Sequence, residues 1–179
     1  MINAKQPWLI YLLISLALAA PESFAAAEEK LDEHVAHEHG RIIVNLILEG
    51  QSLVVELEAP AVHVLGFEHA PRSVTQKSKV AAINLWLESG KGLLNVPRDA
   101  NCQLQSVNYT APNFDRTTDH VDYKARVNYR CRNPLVLAWV ELALLQRLIG
   151  VEITTVNLIT STLQKQLTLK ERASRVPLR

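Results

Sequence analysis

The sequence predicts an α+β fold: a single domain with a mainly antiparallel β-sheet, one or two helices packed on it and one disulfide. Three observations carry that prediction. Stretches with a hydrophobic period of two recur along most of the chain, one stretch has the period of a helix, and no internal repeat or low-complexity block interrupts them. The chain has 179 residues, 48% of them hydrophobic and 21% charged, a composition that suits one ordinary globular domain.

The first segment stands apart from that domain. Met1 to Pro7 carries one positive charge, Lys5; an uncharged run from Trp8 to Ala20 follows, then small residues at Ala25, Ala26 and Ala27. This pattern predicts a secretory signal peptide over residues 1–27, cleaved after Ala25 or Ala27. The apolar run falls short of the roughly 20 residues that span a bilayer, so stable membrane insertion is not expected. With no cysteine near the junction to carry a lipid, the product should be soluble and periplasmic. Residues 28–40 then read as a flexible His/Glu-rich leader, 41–170 as the domain, and 171–179 as a basic, solvated tail.

Within the domain, Ile42, Val44, Leu46 and Leu48 alternate with Arg41, Ile43, Asn45 and Ile47; Glu49-Gly50-Gln51 punctuates, and Leu53, Val55 and Leu57 resume the period. A hairpin follows from this, with its first strand apolar on both faces and therefore expected to be central and covered on both sides. Ala59 to Pro71, broken by Pro60, Gly66 and Pro71, predicts a shaped loop or irregular edge segment. Ser73 has the character of an N-cap, with Gln76 at the third helical position, and Val80, Ile83 and Leu87 recur at helical spacing until Ser89-Gly90. Leu93 to Val96 predicts a short strand stopped at Pro97, and Cys102–Tyr109 with Val121–Cys131 an antiparallel pair around the loop 110–119. Leu135 to Ile149 is apolar but of ambiguous type, readable as strand then helix. Glu152 to Thr160 and Thr162 to Leu169 predict a final strand pair.

Cys102 and Cys131 are the only cysteines, and an oxidising compartment makes one structural disulfide the simple expectation. A Cys-x-x-Cys motif is absent, which argues against redox chemistry. Nineteen Lys and Arg against eighteen Asp and Glu leave a charge of +1, without the basic field that nucleic-acid binding relies on. Gly-x-Ser-x-Gly, His-Glu-x-x-His and phosphate-cradling glycine loops are also missing, so an enzyme is not expected. The single Met excludes a Met-rich Cu(I) carrier.

Histidine carries the remaining signal. It occurs beside carboxylates in three settings, His37-Glu38-His39, Glu68-His69 and His120-Val121-Asp122. On extended backbone His37 and His39 point the same way and form a clamp suited to Zn(II); the alternative is a solvated leader. Glu68 sits in a rigid turn as a ligand, as a group orienting His69, or as a hydrogen-bonded turn residue. His120 and Asp122 share a strand face, which is also what a solvent-facing strand start looks like. His63 stands alone and reads as a packed or surface histidine.

Taken in order, His37-Glu38-His39-Gly40, Glu58-Ala59-Pro60, Gly66-Phe67-Glu68-His69-Ala70-Pro71, Ala100-Asn101-Cys102, His120-Val121-Asp122 and Cys131 with Pro134 resemble the bacterial periplasmic zinc-binding proteins of the ZrgA-like family. The resemblance covers essentially the whole mature chain, and its most specific part is the string from Gly66 to Pro71. It implies an exported protein, made under zinc limitation, that binds Zn(II) and assists a zinc-importing ABC transporter, with a periplasmic zinc-importer binding protein as partner. It assigns His37, His39, His69 and His120 as imidazole ligands and Glu68 and Asp122 as the matching carboxylates. One departure bears on capacity: members typically carry a long insertion rich in His, Asp and Glu, whereas Pro112 to Asp119 is short and has no histidine. His63 stands where relatives are expected to carry an amide. The rival reading is an envelope interaction module without metal, using sheet edges or the Leu135–Ile149 surface; a metal-dependent hydrolase with Glu68 as base is more distant.

Overall fold

The computed structural model describes residues 40–114, 121–170 and 174–178. The expected signal peptide, His37, His39 and His120 lie outside the described residues, as does all of the expected leader except Gly40. The α+β reading holds: the described residues form a six-stranded sheet with two α-helices and a small two-stranded ribbon.

The hairpin of β1 (Arg41–Glu49) and β2 (Ser52–Pro60) forms the centre of the sheet, turning at Gly50, whose φ of 54° suits a residue without a Cβ. On one side β2 pairs with β4 (Asp122–Cys131) and β4 with β3 (Cys102–Thr110). On the other, β1 pairs with β6 (Ile153–Thr160) and β6 with β7 (Gln164–Lys170). The order is β3-β4-β2-β1-β6-β7, and every pairing is antiparallel except β1 with β6. That parallel pair needs a crossover, which residues 132–152 supply.

The core lies on one face. Val44 stands opposite Leu57 and Val156, and Leu57 opposite Ala125, so these buried side chains share a side of the sheet. Beneath them pack α1 (Ala61–Leu65), α2 (Val74–Ser89), and the ribbon of β5 (Trp139–Glu141) with β8 (Arg175–Pro177), which contribute Leu65, Leu87, Val140 and Val176. β1 is central as expected, but only one of its faces is fully buried; Ile43, Asn45 and Ile47 on the other are half-buried. The disulfide Cys102–Cys131 joins two residues directly opposite in the β3–β4 register.

Four local expectations are corrected. Ala59–Pro71 is a shaped loop only from Gly66 onward: β2 runs to Pro60 and α1 follows, because Pro tolerates a helix start while Ala61, Val64 and Leu65 bury together. Leu93–Val96 is no strand but a single bridge from Asn95 to Glu141. In the ambiguous stretch after Pro134, a 3₁₀ turn, β5 and a second 3₁₀ turn, Ala143–Arg147, replace strand-then-helix, with Leu137, Val140, Leu142 and Leu144 buried. Part of the expected solvated tail is built into the fold: β8 pairs with β5, Val176 and Leu178 are buried, and the Arg175 guanidinium lies 4.2 Å from the centre of the Trp139 ring. Val176 and Leu178, apolar and two residues apart, are what suit it to that ribbon.

Candidate metal centre

One end of the large sheet gathers the start of β1, the end of β2 and the start of β4, with Pro60 opposite Asp122. α1 leaves that end as the continuation of β2. Its Ala61 N–H donates to the Val121 carbonyl at 2.8 Å, and the ring of its His63 accepts from the Gly40 N–H at 3.1 Å. Gly40 is the residue after His39, and Val121 the residue after His120. At its C-terminal end α1 closes on Gly66, left-handed at φ 82°, and the chain continues into Phe67, Glu68 and His69. One five-residue helix is thus continuous with the Glu68-His69 setting and bonded to Gly40, which follows His39, and to Val121, which lies within the His120-Val121-Asp122 setting.

The two described histidines differ in what their nitrogens offer. A carbonyl oxygen only accepts, so a ring nitrogen bonded to one must carry its proton. His63, 5% exposed, donates from Nδ1 to the Ile149 carbonyl at 2.7 Å and accepts at Nε2 from Gly40, which uses both nitrogens. His69 is exposed; its Nδ1 donates to the Ala70 carbonyl at 2.9 Å, leaving the Nε2 lone pair for another partner. The His69 ring also stacks on Phe67 at 5.2 Å between centroids. A backbone carbonyl holding the far N–H is the usual way a metal-binding imidazole is oriented.

Glu68 and Asp122 are half-buried. Beyond Asp122 on β4, Lys124 reaches the Glu58 carboxylate at 2.8 Å. That hydrogen bond holds the ammonium above its ordinary range against a partial loss of solvation, and the charges of Glu58 and Asp122 add to it. Imidazole with carboxylate is a donor set suited to Zn(II). Among the described residues, no three His, Cys, Asp or Glu side chains gather closely enough to hold a metal ion. No helix among them is long and apolar enough to cross a membrane.

The sheet also carries a feature that the sequence reading did not identify. On the face away from the core, Gln166 donates to Asn157 at 3.0 Å, Asn157 to Asn45 at 2.9 Å, and Asn45 to Glu56 at 3.0 Å, while Arg126 donates to the other oxygen of Glu56. This row crosses five strands and borders a groove of about 340 Å³ lined by Asn45, Glu56, Glu58, Asn108, Lys124 and Arg126. Its signal in the sequence is Asn45 and Asn157, each an amide between two apolar neighbours in the middle of a strand.

Residues 36–178 match a family model described as ZrgA family zinc uptake protein. No curated protein matches the chain.

Proposed function

Because the chain belongs to the ZrgA family of zinc uptake proteins, we propose that it is exported to the periplasm after loss of residues 1–27, captures Zn(II) there, and assists its uptake by an ABC transporter. His37, His39, His69 and His120 supply imidazoles, and Glu68 and Asp122 complete or steady the shell. The partner for handover is a periplasmic zinc-importer binding protein. A shell of four protein ligands makes the site a store; three, with one position open, allow transfer.

The observation that carries this reading is the His69 ring, exposed and with its Nδ1–H tied to the Ala70 carbonyl, so that Nε2 is the nitrogen left to bind. The position of α1 supports it. A helix bonded to Gly40 and Val121 and continuous with Gly66 favours the approach of three ligand-bearing segments to one another. The short stretch from Pro112 to Asp119 supports one ion rather than several.

Isothermal titration of the chain beginning after residue 27 tests the reading. The parent is expected to take up Zn(II) near one equivalent, and His69→Ala to bind at least about tenfold more weakly, since even changes that only reorient a ligand cost that much. Ligation requires neutral imidazole, so affinity should fall as the solution is acidified. Equal affinity of parent and His69→Ala removes His69 from the site. No uptake by the parent favours the interaction module instead, for which Leu135, 87% exposed, and Val136, 42% exposed, supply an apolar contact.

A further inference from the structure

Leu135 is the most exposed large apolar side chain among the described residues, at 87%, and Val136 beside it is 42% exposed. The 3₁₀ turn that carries them, Pro134–Val136, is braced. Just before it the Arg132 N–H donates to the Asn101 carbonyl at 3.2 Å and the Asn133 N–H to the Ala100 carbonyl at 3.1 Å, while the Asn133 side chain donates to the Asp99 carbonyl at 2.9 Å. The disulfide fixes Cys131 to Cys102, and Leu137, directly after the turn, is buried. Two adjacent apolar residues are thus held out in water on a mount tied to a second 3₁₀ turn, Arg98–Ala100. Exposed Arg98 stands on that second turn and exposed Arg132 three residues before Leu135, with Asp99 the one carboxylate in these two segments. A lone exposed leucine needs no explanation, but an apolar pair braced outward with cations at its base does.

We propose that this tip docks reversibly on an anionic lipid surface: Leu135 and Val136 enter the boundary between headgroups and acyl chains while Arg98 and Arg132 meet lipid phosphates. Apolar side chains beside basic ones are the combination that interfacial binding uses, and the guanidinium fork matches phosphate oxygens. A lipid surface fits the shape as well as the charge. One projecting turn is small beside the roughly 800 Å² that each partner gives to a standard protein interface, whereas fluid lipid closes around a single turn. The contact is peripheral, since no helix among the described residues is long and apolar enough to cross a membrane. Leu135 follows the end of β4 and Asp122 opens it, so the tip lies at the far end of a ten-residue strand, roughly 30 Å along it from Asp122. Docking by the tip leaves the Asp122 end of the sheet in the aqueous phase, and it does not rest on the zinc reading.

The experiment sediments the chain beginning after residue 27 with vesicles of phosphatidylcholine alone and of an equimolar mixture of phosphatidylcholine and phosphatidylglycerol, at low and at high salt. The parent is expected to bind the anionic vesicles, to leave the neutral ones in solution, and to bind less as salt screens the arginines. Leu135→Asp should bind roughly 10- to 100-fold more weakly, the worth of one buried leucine, and Arg132→Gln about fivefold more weakly. Both positions are exposed, so neither change threatens the fold. Leu135→Trp should keep the binding, and its emission should shift to the blue relative to the parent when anionic vesicles are added, as the new indole leaves water. Equal binding of parent and Leu135→Asp overturns the proposal, as does equal binding to neutral and anionic vesicles. A parent that ignores both kinds of vesicle also overturns it and leaves the tip to a pocket on a protein partner.

Discussion

At the scale of single residues, buried polar groups are decided by what each atom can give or accept. Tyr123 is fully buried, and its hydroxyl donates to the Asn84 side chain at 3.1 Å, tying β4 to α2. Burial, with a smaller contribution from Tyr109, pushes its phenol from 10.0 up to about 12. The unfolded phenol ionises first as the pH rises, so the native state holds the extra proton between those two values. The stability linked to Tyr123 is therefore complete below about pH 10 and is lost as the pH climbs toward 12, with a slope no steeper than about 1.4 kcal/mol per pH unit. Burial raises Tyr129 as well, and the hydrogen bond to Glu58 raises Lys124, so both titrate in alkali alongside it. Urea midpoints of parent and Tyr123→Phe between about pH 9 and 12 separate the terms: the parent should lose more stability than the variant over that range. Parallel loss in both would show that Tyr123 contributes nothing to alkaline unfolding.

Elements differ in how openly the sequence announces them, and the difference is physical. α2 was legible because its end signals are local: Ser73 Oγ accepts from the Gln76 N–H at 3.1 Å, Gln76 Oε1 accepts from the Ser73 N–H at 3.2 Å, and Gly90 closes the helix at φ 61°. α1 was not, because a helix of one turn shows little period and Pro60 looks like a breaker when read alone. Strands with one buried face alternate clearly, whereas Leu135 to Ile149 buries side chains irregularly on tertiary contacts that no local pattern encodes. The β3–β4 pair carries a measurable consequence of its own. β3 is the edge of the large sheet, mostly exposed, and Cys102–Cys131 ties it to β4 across a closed loop of about 30 residues. Replacing both cysteines by serine should lower stability by roughly 3 to 4 kcal/mol in the chain-entropy picture, read from urea unfolding of the two proteins. A loss below about 1 kcal/mol would mean that the unfolded chain is not appreciably restrained by the bridge.

For the molecule as a whole, the residues of the candidate centre were easier to read than their surroundings. His69 beside Glu68 is visible in the sequence, but that its Nδ1–H is spent on Ala70, and that His63 holds Gly40, depends on a meeting of residues far apart in the chain. The same holds for the polar row from Gln166 to Arg126, where register joins amides that look unrelated in order. The end of the chain shows the rule most sharply. Its basic residues suggest solvent, yet Val176 and Leu178 are buried, the Leu142 N–H donates to the Ser174 carbonyl at 2.8 Å, and the Leu178 N–H donates to the Ala138 carbonyl at 3.0 Å. Among the described residues, β8 is thus the strand that pairs with β5 in the small ribbon beneath the core, beside the single bridge from Asn95 to Glu141. Ending the chain after residue 173 removes two buried apolar side chains, worth about 1.5 to 3 kcal/mol each, from a fold whose total stability is on the order of 5 to 15 kcal/mol. The truncated protein should lose roughly 3 to 6 kcal/mol, while Arg175→Ala, which gives up only a cation resting on Trp139, should lose less than about 1 kcal/mol. Urea unfolding of parent, truncation and Arg175→Ala distinguishes the two contributions. A truncation as stable as the parent would show that the ribbon is an ornament of the fold; the expected loss would make the terminal strand a component of the core that keeps the sheet in place.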